Sequence, residues 1–215
     1  MALLDFILCH GFGYDARYWE RLRDCLAPHR VHCLDRGYWG QSVTMAGLNS
    51  NRHYVGVGHS LGLMHLMQQS IAFKQLIGLN AFVHFLGHNR ALNHKRGREL
   101  SSLAHGFTRN PVAALQGFYA RVGVDLEPCM SHMNHAALTD DLRLLRHHQP
   151  VIPHVPMLIL GSMDDRITPA ELLEDNFAGL PGVIVDMTDG VGHGLGYFKS
   201  TWVHQRMMRF CEHGE

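Results

Sequence analysis

The chain has 215 residues, of which 46% are hydrophobic, so it can form one domain of ordinary size around a substantial core. Its 19 basic and 19 acidic side chains cancel, which excludes the strong basic excess of a nucleic-acid-binding domain. Its apolar stretches are too short to span a bilayer, and the N-terminal one lacks the basic flank of a signal peptide. We therefore expect a soluble, cytoplasmic protein.

Cysteines and histidines are the side chains that form disulfides or bind transition metals. The chain has 18 histidines but contains neither an H-E-x-x-H motif nor a tight Cys/His set, so we expect no metal site. An odd number of cysteines without a C-x-x-C pair favours buried free thiols over a disulfide framework. These cysteines are Cys9, Cys25, Cys33, Cys129 and Cys211.

The first two predicted strands cover residues 3–9 and 31–34, with an amphipathic helix over residues 14–26 between them. The first strand ends in His10-Gly11-Phe12-Gly13, a glycine-rich turn whose free backbone N–H groups can face a ligand. The segment after Gly40 is too short for a full-length helix, so we expect a trimmed connection to the next strand.

The third predicted strand leads into Gly58-His59-Ser60-Leu61-Gly62, a G-x-S-x-G sequence. This pattern predicts a sharp strand-to-helix turn that exposes the serine hydroxyl at the edge of a sheet. Glycines flank the turn because a Cβ at either place would strike the neighbouring strand or helix. The helix that follows, predicted to extend to about residue 73, directs its free N–H groups toward negative charge developing at Ser60.

A strand predicted over residues 76–85 precedes a long polar and helical stretch. We expect an α/β core formed by residues 1–85 and 150–215, with residues 86–149 inserted as a helical cap over a pocket. The charges of the cap indicate either a solvated helix face or a surface for an acidic partner. Its basic residues Arg90, Lys95, Arg96, Arg98, Arg109, Arg121, Arg143 and Arg146 outnumber its acidic residues Glu99, Asp125, Glu127, Asp140 and Asp141.

Regular alternation then resumes, with strands predicted over residues 156–160 and 183–187 and helices over residues 169–177 and 198–211. The near-continuous apolar character of residues 156–160 is typical of a buried parallel strand. Asp164 and Asp165 follow the first of these strands, and a glycine-rich loop with His193 follows the second.

The polar groups after these strands have the order Ser…Asp…His found in α/β-hydrolases. A serine hydroxyl needs a base to become nucleophilic, and the base needs a carboxylate to orient it. We interpret Ser60 as the nucleophile and His193 as the base, with Asp165 or Asp164 as the acid. The N–H of Leu61, directly after the nucleophile, is the expected second donor of an oxyanion hole, beside the glycine-rich loop.

These motifs resemble the α/β-hydrolase superfamily over nearly the whole chain. Within it, the chain is most similar to the small bacterial carboxylesterases that cleave pimeloyl-acyl-carrier-protein methyl ester in biotin synthesis. The similarity rests on the H-G-x-G loop with its aromatic Phe12 and on Trp19 at the family's spacing. It also rests on the G-x-S-x-G turn of residues 58–62, here called the elbow, on the loop of residues 162–169, the acid loop, and on the loop of residues 189–194, the histidine loop. The cap is also similar in length and has scattered arginines.

The resemblance implies hydrolysis of a carboxylic ester by a serine esterase that needs no cofactor. It selects Asp165 as the acid, because residues 165–169 match the family's Asp-x-hydrophobic-x-Pro loop. It assigns the oxyanion hole to the N–H groups of Phe12 and Leu61. It also implies an acidic acyl carrier protein as a partner at the basic cap, with Arg96 and Arg98 among the docking residues.

Two departures from the family bear on the substrate. Leu63 stands where many relatives have a glycine, and residues 40–53 are a short segment. Both affect the shape of the pocket and so the choice of substrate. A thioesterase, a C–C bond hydrolase and a perhydrolase remain alternatives because they use the same three side chains, and the intact Ser60, Asp165 and His193 argue against a non-catalytic binding module of the same fold. A dehalogenase with an aspartate nucleophile is disfavoured because position 60 is serine.

Overall fold

The computed structural model describes residues 3–124, 126 and 130–214. Its centre is a six-stranded sheet with the order β2-β1-β3-β4-β5-β6, in which every neighbouring pair is parallel. The strands are β1 (Asp5–Cys9), β2 (Arg30–Leu34), β3 (Tyr54–His59), β4 (Phe73–Leu79), β5 (Met157–Ser162) and β6 (Val183–Thr188).

Helices cover both faces of this sheet, as a parallel sheet requires. They are α1 (Glu20–Cys25), α2 (Leu61–Met67), α3 (Arg90–Arg109), α4 (Pro111–Val122), α5 (His135–His147), α6 (Ala170–Phe177), α7 (Leu195–Phe198) and α8 (Ser200–His213). Short 3₁₀ turns occur at Ala16–Trp19 and Met130–His132.

The pleat of the strands divides the core into two layers. Phe6 and Leu8 of β1 pack in the layer of helices α1 and α8, whereas Ile7 of the same strand packs with Leu63 of α2 and Phe177 of α6. Successive side chains of a strand point to opposite faces, so an almost continuous apolar sequence serves both layers. Strands β3 and β5 are buried along their whole length for this reason.

Helices α3, α4 and α5 occupy the segment between β4 and β5 that was predicted as a cap. Asn110 begins α4 by accepting the backbone N–H of Ala113, and Pro111 follows at the first helical position. Gly123 ends that helix in the left-handed conformation, with a φ of 77°. The cap acids Asp125 and Glu127 lie outside the described residues.

Several predicted boundaries were wrong for local reasons. The elbow helix ends at Met67 because Phe73 already belongs to β4, where it pairs beside Tyr54. The strand predicted to residue 85 ends at Leu79 because Asn80 adopts a φ of 47° and breaks the extended chain.

Two predicted helices are each divided. The helix of residues 14–26 begins as a 3₁₀ turn in which Asp15 accepts the N–H of Arg17, and the closing helix is split into α7 and α8. The prediction that no full-length helix precedes β3 is confirmed. Residues 35–53 contain no helix, and their one β-bridge joins Asp35 to Val43. In the part of the chain that is described, no helix is both long enough and apolar enough to cross a membrane.

Candidate active site

Ser60 lies in a strained turn between β3 and α2. Its φ is 54° and its ψ is −124°, a region that residues with a side chain rarely adopt. The turn is held by a 3.0 Å hydrogen bond from the Ser60 N–H to the carbonyl of Leu79 in the neighbouring strand β4. A strained serine at the carboxyl edge of a parallel sheet is the geometry predicted for a nucleophile elbow.

The glycines around Ser60 are required by close backbone packing. A Cβ on Gly58 would lie 2.3 Å from the backbone nitrogen of Leu63, and one on Gly62 would lie 2.0 Å from the carbonyl oxygen of Cys9. A Cβ on Gly11, in the loop after β1, would lie 2.9 Å from the Cβ of Ser60. The elbow is therefore packed directly against the glycine-rich loop.

His193 and Asp165 form a buried pair at the same edge of the sheet. The Nδ1–H of His193 donates to Oδ2 of Asp165 over 2.7 Å, and the two residues are only 1% and 3% exposed. This bond places the proton on Nδ1 and leaves Nε2 as the acceptor, which is the tautomer that a general base requires.

Further donors hold the Asp165 carboxylate in its charged form. It accepts the backbone N–H groups of Ile167 and Thr168, the hydroxyl of Thr168 and the side-chain amide of Asn80. Burial alone would raise the pKa of Asp165, but the charge and hydrogen bond of His193 and the bonds from Thr168 outweigh it. The pKa therefore lies far below the ordinary aspartate value, and the group is ionised at neutral pH.

Asn80 and Thr168 were missed from the sequence. Asn80 follows the last residue of β4 and also donates over 2.8 Å to the carbonyl of Gly192, next to His193. Its place at the end of a central parallel strand was a usable signal, because strand ends at this edge carry polar site residues. Thr168 lies within the acid loop itself.

The structure distinguishes the two candidate acids. Asp164 is exposed and accepts the backbone N–H groups of Gly190, Val191 and Gly192 at 3.0, 3.2 and 3.1 Å. It also accepts the hydroxyl of Ser162 at 2.5 Å, the first cause that lowers its pKa. The carboxylate that reaches the imidazole of His193 is that of Asp165.

His59 connects the histidine loop to the elbow. Its Nε2–H donates to the backbone carbonyl of His193 over 3.0 Å, and the centres of the two rings are 4.7 Å apart. The ring of His59 also stacks on Tyr18, at 4.2 Å between centroids. Burial lowers the pKa of His59 well below its ordinary value, so the side chain is neutral. Residue 193 is thus held against the residue that precedes Ser60.

The loop after β1 is fixed from several directions. The carbonyl of Gly13 accepts from Nε1 of Trp39 over 2.9 Å and from the hydroxyl of Tyr119 in α4. Phe12 and Leu61, the predicted oxyanion residues, line the same cavity as Ser60. Leu61 is the first residue of α2, where backbone N–H groups have no acceptor within the helix.

A buried polar network joins helix α5 to the sheet core. Asp141 of α5 is 1% exposed and accepts hydrogen bonds from Arg36, from the hydroxyl of Tyr38 and from His65 of α2. Burial opposes the charged form of Asp141, but His65, Arg36 and Tyr38 outweigh it and lower its pKa to about 2. The sequence showed Asp141 only as one of several cap acids, and no pattern indicated that it is buried.

The cavity above Ser60 has a volume of about 250 Å³ and lies between the sheet edge and the cap. Its walls are mostly apolar, with four charged residues among them. Those four are Arg96, Glu99, Arg121 and Arg166.

The described cysteines Cys9, Cys25, Cys33 and Cys211 are free thiols, as predicted, and Cys129 lies outside the described residues. The expectation that they are buried holds only for Cys9, whose burial raises its pKa to about 12. Among the described residues, no three His, Cys, Asp or Glu side chains are grouped as a metal site would need.

Of the comparisons with known proteins, the one with solved structures finds similar architectures. No protein-family model matches the chain, and no curated protein matches it in sequence. Solved structures do match: an esterase from Exiguobacterium antarcticum has a TM-score of 0.77 at 14% identity, covering 97% of this chain and 92% of that one.

Two further solved structures are similar. A bromoperoxidase from Bacillus anthracis has a TM-score of 0.75 at 16% identity, covering 98% of this chain and 92% of the other. A hydrolase from Oleispira antarctica has a TM-score of 0.74 at 14% identity, with coverages of 99% and 92%. Identities this low speak for the fold alone, and the chain has the α/β-hydrolase fold that its sequence predicted.

Proposed function

We propose that the protein is a serine hydrolase that cleaves a carboxylic ester through a covalent acyl-enzyme. The observation that carries this proposal is the 2.7 Å bond between His193 and Asp165, on a loop tied by His59 to the strained elbow of Ser60. Ser60 is the nucleophile, His193 the general base and then acid, and Asp165 the group that orients the imidazole.

The first half of the reaction forms the acyl-enzyme. Oγ of Ser60 attacks the ester carbonyl carbon while Nε2 of His193 takes the hydroxyl proton. The negative charge that develops on the carbonyl oxygen is stabilised by the N–H groups of Phe12 and Leu61, each worth on the order of 3 kcal/mol. His193 then gives its proton to the departing alkoxide, which leaves as the alcohol.

The second half releases the acid. His193 takes a proton from water, the hydroxide oxygen attacks the acyl carbonyl, and the bond to Oγ breaks as the proton returns to Ser60. Throughout, the ionised Asp165 stabilises the imidazolium that forms on His193. One ester and one water yield one acid and one alcohol, and this cycle needs no cofactor.

Hydrolysis of a short-chain p-nitrophenyl ester tests this proposal. We expect turnover by the wild type and a loss in Ser60→Ala on the order of a thousandfold or more. Ser102→Ala is the matched control, because that serine is exposed on helix α3. Equal rates for the wild type and Ser60→Ala would show that Ser60 is not the nucleophile.

The same three side chains also serve a thioesterase, a C–C bond hydrolase or a perhydrolase. Parallel assays with an ester, a thioester, a β-diketone, and a carboxylic acid with hydrogen peroxide separate these reactions. A non-catalytic binding module is separated by a fluorophosphonate probe, which an inert serine does not consume. The resemblance of the sequence to carboxylesterases favours the ester.

A narrower candidate is the methyl ester of a carrier-bound acyl chain, as in biotin synthesis. The feature that favours it is the surface of the cap, where Arg90, Lys95, Arg98, Arg109, Arg121, Arg143 and Arg146 are exposed. Arg96, expected on that surface, is buried instead and cannot dock a partner there. Of the acidic residues expected on that surface, Asp140 is exposed, whereas Asp141 is buried and does not reduce the positive charge there.

Charge reversal of that surface tests the carrier-protein candidate. The double variant Arg98→Glu with Arg109→Glu should slow hydrolysis of a carrier-bound methyl ester and leave a p-nitrophenyl ester unaffected. Equal losses on both substrates would count against docking there. Complementation of a biotin auxotroph that lacks its methyl ester esterase provides the cellular counterpart.

A further inference from the structure

Arg96 of helix α3 is a buried cation on the wall of the cavity that contains Ser60. It is 3% exposed, whereas Arg98 on the same helix is exposed. Burying a guanidinium costs free energy unless acceptors replace its hydration. The question is therefore whether each N–H donor of Arg96 has an acceptor within the protein.

Only some of the N–H donors of this guanidinium have acceptors among the described residues. One terminal nitrogen donates to Glu99 over 2.8 Å, the other donates to the carbonyl of Ile167, and the group lies 4.4 Å from the ring centre of Phe85. Nε is buried and has no acceptor among the described residues. Since an arginine has five N–H donors, the group retains capacity for a further acceptor.

The charge of the cavity favours an anionic acceptor. Arg121 and Arg166 are exposed residues that also line it, and Glu99 is its acid. The side chain of Glu99 is 39% exposed, so water weakens its attraction to the charge of Arg96. Of the charged residues that line the cavity, Arg96 is the buried one, so its positive charge is the least screened by water, and the other walls are largely apolar.

Arg96 also lies close to the proposed catalytic residues. The carbonyl of Ile167 accepts from Arg96, while the N–H of Ile167 donates to Asp165 over 2.7 Å. A group bound to Arg96 therefore sits beside the acid loop, in the same cavity as Ser60. At about 250 Å³ this cavity is slightly smaller than the usual drug-sized pocket, a size that suits a short acyl chain.

We propose that this cavity selects an ester whose acyl part ends in a carboxylate, which the guanidinium of Arg96 binds. The substrate class is the half-ester of a short dicarboxylic acid. This assignment rests on the proposed function, because Ser60 must cleave the ester end while Arg96 holds the acid end. A planar guanidinium fork matches a carboxylate better than it matches a neutral chain end.

The test compares two methyl esters of similar size, monomethyl glutarate and methyl pentanoate. For the wild type we expect kcat/KM to favour monomethyl glutarate by on the order of ten- to a hundredfold. Arg96→Gln should bring this ratio close to one, while Arg23→Gln, an exposed arginine on α1, should leave it unchanged. Glu99→Gln should raise the ratio, because it removes the competing anion.

The ratio separates charge selection from structural damage. Arg96→Gln also loses the bond to Ile167, so both absolute rates can fall without moving the ratio. A wild type that prefers methyl pentanoate, or a ratio unchanged in Arg96→Gln, would overturn the proposal. If Arg96→Gln does not fold, the opposite shift in Glu99→Gln decides, and an unchanged ratio there would overturn it.

A binding measurement tests the carboxylate site separately from the proposed esterase function. Calorimetric titration of glutarate into Ser60→Ala protein should show binding that is lost when Arg96→Gln is added and kept with Arg23→Gln. Glutarate binding without turnover of either ester would contradict the proposed esterase function and still support the carboxylate site. Turnover that depends on Ser60, without glutarate binding or a preference for the charged ester, would support the esterase function and contradict the carboxylate site.

Discussion

Asp164 and Asp165 are adjacent in sequence, yet their carboxylates hold opposite parts of the histidine loop. Asp165 accepts the imidazole N–H of His193 over 2.7 Å, whereas Asp164 accepts the backbone N–H groups of residues 190–192. One carboxylate orients the ring and the other fixes the chain that carries it. The two aspartates should therefore respond differently to the same substitution.

Asp165→Asn should reduce kcat by roughly 10³- to 10⁴-fold with little change in fold. The amide side chain can donate to Nδ1 of His193 and so favours the tautomer whose proton is on Nε2, which cannot accept from Ser60. Steady-state kinetics on a p-nitrophenyl ester and a circular dichroism spectrum measure the two effects. A variant that keeps most of the wild-type kcat would show that Asp165 does not serve His193.

Asp164→Ala should lower kcat roughly ten- to a hundredfold, because the loop that carries His193 loses its anchor. Amide hydrogen exchange should accelerate at Val191 and its neighbours. Asp164→Asn should restore part of the rate, since its side-chain oxygen still accepts N–H groups. Unchanged exchange together with unchanged kcat in Asp164→Ala would refute this anchoring role.

Asp141 should make the stability of the protein depend on pH in the acid range. Its pKa is lowered from 3.8 to about 2 in the folded protein, so its contribution is complete above pH 4 and disappears as the pH falls toward 2. We expect the free energy of unfolding to fall by about 2 kcal/mol from this group over that window. Urea titrations at stepped pH values measure it.

Asp141→Asn is the comparison that isolates this contribution. The variant should be less stable at pH 7, because Arg36 and His65 lose their anionic partner, and its stability should change less between pH 4 and pH 2. The same slope in both proteins would assign the acid sensitivity to other carboxylates, such as Asp165.

Two glycine-to-alanine substitutions should have opposite signs. Gly62→Ala places a Cβ 2.0 Å from the backbone oxygen of Cys9 and should destabilise the fold by on the order of 3 kcal/mol. Gly97, inside α3, has no atom within 4 Å of an added Cβ, so Gly97→Ala should stabilise by about 0.5 to 1 kcal/mol. Thermal unfolding measures both, and a neutral Gly62→Ala would contradict the close packing at the elbow.

The sequence predicted the parts of the site that local patterns encode. Ser60, Asp165 and His193 each follow a strand of the parallel sheet, so the order of strands and loops was enough to predict that they lie at the same sheet edge. Flanking glycines marked the elbow because a turn this tight leaves no room for side chains.

Long-range burial was not predictable in the same way. Arg96 was counted as a surface cation because its neighbours in sequence are polar, and only the packing of α3 over the acid loop buries it. Asp141 and Asn80 likewise acquire their partners from segments far away in the chain. A periodic pattern reports which face of a helix is apolar, and a single polar residue buried by tertiary contacts leaves no such signal.

The most direct test of the central claim is the reaction of the folded protein with a fluorophosphonate, followed by intact-mass and peptide mass spectrometry. We predict one adduct per chain, located on Ser60, with none in Ser60→Ala and slow formation in His193→Ala. Equal labelling of Ser60→Ala, or no labelling of the folded wild type, would contradict the claim that His193 and Asp165 make this serine reactive.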